Sequence, residues 1–232
     1  MTGVQTCALP ILKGIYFFIL GILVTGIDIN IATKISYGFR FGVNEGVKKG
    51  FNTYFLEALI GDHFRIDILF NPAGYLLILL GLALMHGNRK YMMNMKAAAV
   101  LGFVISTVKT IFPFVLSQYS LFGPILFCCI AEILVMLVIM YSFTLACKKQ
   151  VDNFKYLEVG KDLTFATELY GFASVIKYVI MPFAALYIYF ARGAYILTIV
   201  LSWAAVLYFV YKTFRYVRTL HLFENAEKEE EK

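Results

Sequence analysis

Along the chain, apolar residues run together in long blocks and polar residues gather between them. Ile68–Asn88, Thr110–Ala131 and Gly193–Tyr211 carry no charged side chain. About 18 or more consecutive apolar residues are enough for a helix to cross a bilayer. On this pattern six hydrophobic helices are predicted, at about 13–32, 68–86, 96–116, 121–146, 172–190 and 194–214. The fold class expected is an all-α integral membrane protein with about six transmembrane helices. Most turns are short, so successive helices should form antiparallel hairpins.

Two links are long. In Lys34–Asp67, the residues Ile35, Tyr37, Phe39, Phe41 and Val43 alternate with polar or small ones, a period of two that fits a short strand. Further on, Phe51, Tyr54, Phe55, Ala58 and Leu59 recur at helical spacing, with Lys48, Lys49, Asn52 and Glu57 off that stripe. This predicts an interfacial amphipathic helix in the first long loop. The second link, Lys148–Tyr170, is charged, and Leu163, Ala166, Leu169 and Tyr170 would share a helical face. Residues 217–232 end in a run of Glu and Lys and read as a solvated, frayed cytoplasmic tail. The phrases "GIDIN" and "RIDIL" echo one another, too briefly to indicate a duplication.

Met1–Ile11 reads as foreign to the protein. The reverse complement of a common sequencing adapter, started at GTG, translates to MTGVQTCALPI, so this segment and its Cys7 and Pro10 are set apart as an adapter-derived artefact. The polytopic membrane domain then covers 12–216.

Composition agrees with the pattern. Of the residues, 60% are hydrophobic and 16% charged, against about 45–50% and about 25% in soluble domains. The net charge of +6 could suggest nucleic acid, but in a membrane protein Lys and Arg gather in cytoplasmic loops. With the N-terminus inside, the inner segments hold Lys13, Arg89, Lys90, Lys96, Lys148, Lys149, Lys155, Lys161, Lys212, Arg215, Arg218, Lys228 and Lys232. The outer segments hold only Lys34, Arg40, Lys48, Lys49, Arg65 and Arg192. The expected location is the inner (plasma) membrane, with both termini cytoplasmic. The expected partner is the lipid bilayer, with a membrane protein or a second copy possible and no nucleic acid.

Lys109 and Glu132 are the only charges between Ala97 and Cys147. A charge at mid-bilayer costs about 2.5–3.5 kcal/mol on insertion scales, so it faces a partner or a cavity. The two flank the turn near Tyr119 at depths that differ by about 4–5 Å at ~1.5 Å per residue, within reach of one another. They read as a register-fixing ion pair, or else as an ion path. Asp28, Asp62, His63 and Asp67, with Glu57 and Asn71, form a polar cluster at the outer boundary. Such groups could activate water or hold a metal, yet "GDHFRID" lacks the spacing of a metalloprotease helix. Ordinary boundary residues are the simpler reading, with no metal and no cofactor expected.

Asn71-Pro72 suits a helix start, and Gly74 would allow close helix contact. Met92, Met93 and Met95 read as filler in an inner loop. Cys128, Cys129 and Cys147 read as packing residues. Lys177, a few residues into the fifth helix, should snorkel to the inner interface, and Pro113 and Pro182 should kink their helices. His86 and His221 have no evident partner. No nucleotide loop, GxSxG elbow, HExxH or paired CxxC occurs.

At "GIDINIA" and "RIDILFNPAGYLLILLGLALM" the chain resembles a group of small bacterial polytopic membrane proteins with the phrase I-D-I-L-P-D/N-x-x-G-Y. Ile66, Asp67, Ile68, Leu69, Asn71, Gly74 and Tyr75 match. Phe70 stands where the phrase has proline, and Pro72 comes late. The resemblance implies a membrane fold and no catalytic activity. Together these features predict a non-enzymatic accessory, sensory or permeation component. The alternatives are a membrane-embedded enzyme working on lipid or envelope substrates at the outer face, and a small secondary transporter using the Lys109–Glu132 pair.

Overall fold

The computed structural model of the chain describes residues 8–27, 30–32, 65–67, 71–85, 89–115, 122–151, 157–185 and 189–230. Among them are six helices: α1 (Ala8–Gly26), α2 (Asn71–Leu84), α3 (Arg89–Val115), α4 (Phe122–Val151), α5 (Leu157–Ala185) and α6 (Tyr189–Glu230). Two three-residue strands, β1 (Asn30–Ala32) and β2 (Arg65–Asp67), pair antiparallel. Each helix packs on the next, and α6 returns to α1, closing a ring. Among the described residues, four helices are long and apolar enough to cross a membrane, over Arg89–Phe112, Phe127–Lys148, Gly160–Ile180 and Gly193–Arg218.

The core of the ring is aromatic and aliphatic. Phe18 of α1 stacks on Phe143 of α4 at 4.8 Å between ring centroids, and Phe143 meets Phe209 of α6 at 5.9 Å. Outward, Leu80, Leu134, Phe172 and Leu197 stay exposed. That inversion of a soluble surface is what a lipid solvent permits.

Glycine sets the α1–α2 contact. A Cβ on Gly14 would stand 2.8 Å from the Gly81 carbonyl, and one on Gly81 only 2.5 Å from the Phe18 amide nitrogen. One helical stretch away, a Cβ on Gly21 would stand 2.6 Å from the Gly74 carbonyl. Both helices space their glycines by seven residues (14 and 21, 74 and 81), so the antiparallel pair touches backbone to backbone at two levels. Close approach through small residues is how apolar helices gain dispersion energy in lipid.

Several expected boundaries are corrected. The first helix ends at Gly26 rather than near 32, because Asn30, Ile31 and Ala32 pair with Asp67, Ile66 and Arg65. The two echoing phrases are therefore sheet partners: alternating Ile with Asp or Asn suits a strand better than a helix interior. The second helix starts at Asn71, where Pro72 lacks the amide a helix interior would need. The third starts at Arg89, seven residues early, and Met92 and Met95 are core residues of a helix rather than loop filler. The fifth starts at Leu157, 15 residues early, since Leu163, Ala166 and Tyr170 bury the face foreseen for the link. Lys177 then lies 20 residues into α5 and eight before its end, toward the boundary opposite to the one expected, with its ammonium 5.7 Å from the Tyr178 ring centroid.

The fourth helix runs to Val151 and the sixth to Glu230, so helix replaces the frayed tail. Glu, Lys and Ala propagate a helix well, and no Gly or Pro interrupts the chain after Gly193. Pro113 and Pro182 fall within three residues of the described ends of α3 and α5. The interfacial helix expected in the first loop lies outside the described residues, as do Met1–Cys7, while Ala8–Ile11 belong to α1.

The paired stretches Gly14–Gly26 and Asn71–Leu84 are shorter apolar helices. At ~1.5 Å per residue, the 19 residues of α1 span about 28 Å and the 14 of α2 about 21 Å. Where α1 ends and α2 begins is fixed by their neighbours. Thr25 Oγ1, which donates to the Gly21 carbonyl at 2.8 Å, lies 3.3 Å from Met136 Sδ, and a Cβ on Gly26 would stand 2.7 Å from Val206. Met136 is the tenth residue of the 22-residue span of α4, and Val206 the fourteenth of the 26-residue span of α6. The end of α1 and the start of α2 therefore stand near the mid-depth of the long helices.

Candidate functional site

At that level the bundle turns polar. Tyr75, one turn into α2, is fully buried, and its ring occupies the space that a side chain at Gly102 of α3 would fill. Its hydroxyl is within electrostatic reach of Glu132 on α4, Lys109 on α3 and Tyr170 on α5. Groups from four helices thus lie within electrostatic range of one another.

The structure brings Lys109 and Glu132 together. Lys109 Nζ donates to Glu132 Oε2 at 2.5 Å. Lys109 is six residues before the end of α3 and Glu132 ten after the start of α4, an offset of about 6 Å at ~1.5 Å per residue that the lysine stem bridges. Their side chains are 27% and 12% exposed, so the contact is made largely away from solvent, where charge–charge attraction is strong. Nearby hydroxyls are spent locally: Thr107 and Thr110 donate to the Phe103 and Ser106 carbonyls one turn back, at 2.7 and 2.9 Å.

Two acceptors of this region are left over. Glu132 Oε1 and Asn71 Oδ1 are buried and have no hydrogen-bond partner. Asn71 is 7% exposed and sits one turn before Tyr75 on the same side of α2. An unsatisfied buried acceptor costs about 1–3 kcal/mol, so each marks a place for a donor or a cation.

A second ion pair joins the other half of the bundle. Lys212 Nζ of α6 contacts Asp162 Oδ2 of α5 at 2.5 Å, Tyr208 Oη donates to Asp162 Oδ1 at 3.3 Å, and the ammonium lies 5.2 Å from the Tyr208 ring centroid. Sequence reasoning missed this pair by treating 148–170 as a link. Its signal was positional: Asp162 is 23 residues before the end of α5, and Lys212 is 23 after the start of α6.

The outer polar cluster is mostly beyond view, since Asp28, Asp62 and His63 lie outside the described residues. Asp67 is in β2, its Cα opposite that of Asn30. Among the described residues no three His, Cys, Asp or Glu side chains gather as a metal site. Cys128, Cys129 and Cys147 are buried thiols. An apolar cleft of about 340 Å³ between α3 and α4 is lined by Val104, Ile105, Val108, Phe112, Pro124, Phe127 and Cys128. With Phe127 71% exposed and Val104 49% exposed, this cleft opens to the lipid side and offers a polar solute nothing.

No protein-family model matches the chain, and neither a curated protein sequence nor a solved structure is similar to it.

Proposed function

We propose that the protein is a non-enzymatic permeation component of the bacterial inner membrane. In this reading a small cation moves through the polar cluster around Glu132. One observation carries it: α1 ends and α2 begins near mid-depth, the bundle holds an ion pair, and two buried acceptors, Asn71 Oδ1 and Glu132 Oε1, lack donors. Helices that stop within the bilayer recur where transporters bind ions, because their C-terminal carbonyls present negative potential to a cation. The end of α1 would supply such carbonyls. Asn71 Oδ1 and Glu132 Oε1 would add acceptors, with Lys109 as the resident cation that an ion must displace.

The closed Lys109–Glu132 contact favours a second reading, a register lock for the α3–α4 hairpin with no transport role. Vesicle flux separates the two. Protein reconstituted into vesicles should dissipate an imposed Na⁺, K⁺ or proton gradient at least tenfold faster than empty vesicles. Glu132→Gln should lose that flux while still eluting as folded protein. Wild-type vesicles no leakier than empty ones to all three ions would overturn the permeation reading.

In the same proposal the chain crosses the membrane in six segments, with both termini cytoplasmic. The excess of Lys and Arg on the inner segments supports that orientation. A phosphatase reporter, active only outside the cytoplasm, should be silent when fused after Lys232. Activity there would reverse the orientation.

A further inference from the structure

Positive charge gathers where α2, α3 and α4 meet the inner boundary, and those helices supply nothing to balance it. Between Asn71 and Val151 the basic residues are Arg89, Lys90, Lys96, Lys109, Lys148 and Lys149, and the only acidic one is Glu132, which Lys109 contacts. The described part of α1 holds no acidic residue, and Asp162 of α5 is engaged by Lys212. Arg89 and Lys96 make no ion pair among the described residues.

Two of these cations share a lipid-facing stripe. Arg89, Met93, Lys96, Val100 and Val104 recur at intervals of three or four residues and so lie on one face of α3. Arg89 and Lys96 are exposed, and Met93, Val100 and Val104 are 59%, 51% and 49% exposed. Their depth follows from the packing. Gly102 of α3 faces the Tyr75 ring, and the neighbouring Gly74 faces Thr25 at mid-depth. From Gly102, Lys96 lies six residues toward the inner end and Arg89 thirteen, about 9 and about 20 Å at ~1.5 Å per residue. Half of a hydrocarbon core is about 15 Å. Arg89 therefore stands at headgroup level, and Lys96 reaches it by running its apolar stem along the helix for the remaining distance of about 6 Å. Met93 sits between them at the boundary, and Val100 and Val104 carry the stripe into hydrocarbon.

We propose that this face of α3 binds an anionic phospholipid of the inner leaflet, its phosphate held between the Arg89 guanidinium and the Lys96 ammonium and one acyl chain laid along Met93, Val100 and Val104. The missing counter-charge calls for an anion, and the apolar stripe below it is of use only to an anion that carries a chain. A guanidinium can donate to two phosphate oxygens at once, and the ammonium adds a point charge beside it. A zwitterionic lipid would bring its own cation to the site and leave the charge of the helices unbalanced. Basic sites on the cytoplasmic side of transmembrane helices recognise anionic headgroups on this principle. The inference requires that the chain span the bilayer, and it stands apart from the permeation reading.

Native mass spectrometry of the full chain released from detergent tests it, with phosphatidylglycerol and phosphatidylcholine of identical chains as probes. The wild-type protein should hold one phosphatidylglycerol at least tenfold more tightly than phosphatidylcholine, a comparison that needs no variant. Arg89→Gln with Lys96→Gln should abolish that preference. Lys148→Gln with Lys149→Gln, which removes the same amount of charge from α4, should keep it. Glycerol phosphate, the headgroup chemistry without chains, should leave the lipid bound at hundredfold excess. Equal binding of the two lipids, equal loss in the two double variants (diffuse attraction only), or displacement by glycerol phosphate (a site for soluble anions) would each overturn the proposal.

Discussion

Gly81→Leu is expected to abolish the folded protein, the largest effect of any single change on the lipid-insulated side of the bundle. A Cβ at Gly81 would stand 2.5 Å from the Phe18 amide nitrogen, 2.7 Å from the Gly14 carbonyl and 2.9 Å from the Phe18 Cα. All three are backbone atoms of α1, so no rotamer change relieves the contact, and the helices must part along their length. Overpacking a tight core typically costs about 1–3 kcal/mol. Gly81→Ala should lie in that range, and leucine should exceed it. The measurement is the monodisperse fraction of detergent-extracted protein with its melting temperature. Gly26→Ala should be milder, because the atoms it meets belong to the Val206 side chain. Gly193→Ala, with nothing within 4 Å, should be neutral or gain about 0.5–1 kcal/mol from helix propensity. A Gly81→Leu protein as well folded as wild type would refute the backbone contact between α1 and α2.

Lys109→Met should destabilise the protein by about 3–5 kcal/mol, the usual effect of orphaning one member of a buried ion pair. The variant leaves Glu132 with both oxygens unpartnered among helices that offer no solvent. Yield of folded membrane protein should fall several-fold. Glu132→Leu alone should cost less, since the ammonium loses its carboxylate but its side chain is 27% exposed. The double variant Lys109→Met with Glu132→Leu should recover most of the loss, since apolar side chains of similar size can replace a buried pair at little cost. The informative quantity is the coupling between the two changes. A double variant no better than Lys109→Met would mean that the two side chains do not depend on one another. Under the permeation reading the rescued double variant is folded and passes no cation, whereas a pure register lock leaves flux out of the comparison altogether.

Much of the bundle was legible because lipid is a simple solvent. Runs of apolar residues, few charges and short turns specify helices and hairpins with no knowledge of the partner helix. The sequence also marked Lys109 and Glu132, since an isolated charge in an apolar run needs a counterpart and the α3–α4 turn limits where that can be. Boundaries fared worse wherever a helix runs past the hydrocarbon. Arg89–Met95 and Leu157–Gly171 carry charges that hydrophobicity reads as loop, yet Met92, Met95, Leu163 and Ala166 pack into the core. Their stability comes from neighbouring helices, and a pattern search centred on apolar length misses it.

By itself, then, the sequence determined the solvent and the helical class, along with the existence of an intramembrane charge pair. All three follow from the transfer energies of individual side chains, which belong to each residue separately. Tertiary structure decided what depends on two segments meeting. Gly14 and Gly21 against Gly81 and Gly74, Tyr75 against Gly102, and Asp162 against Lys212 are contacts between distant positions. The depth at which α1 ends and α2 begins emerged only when Thr25 and Gly26 were set beside Met136 and Val206. Hydrophobicity says that a helix prefers lipid; only packing against other helices says how deep it stands and which atoms are left without a partner.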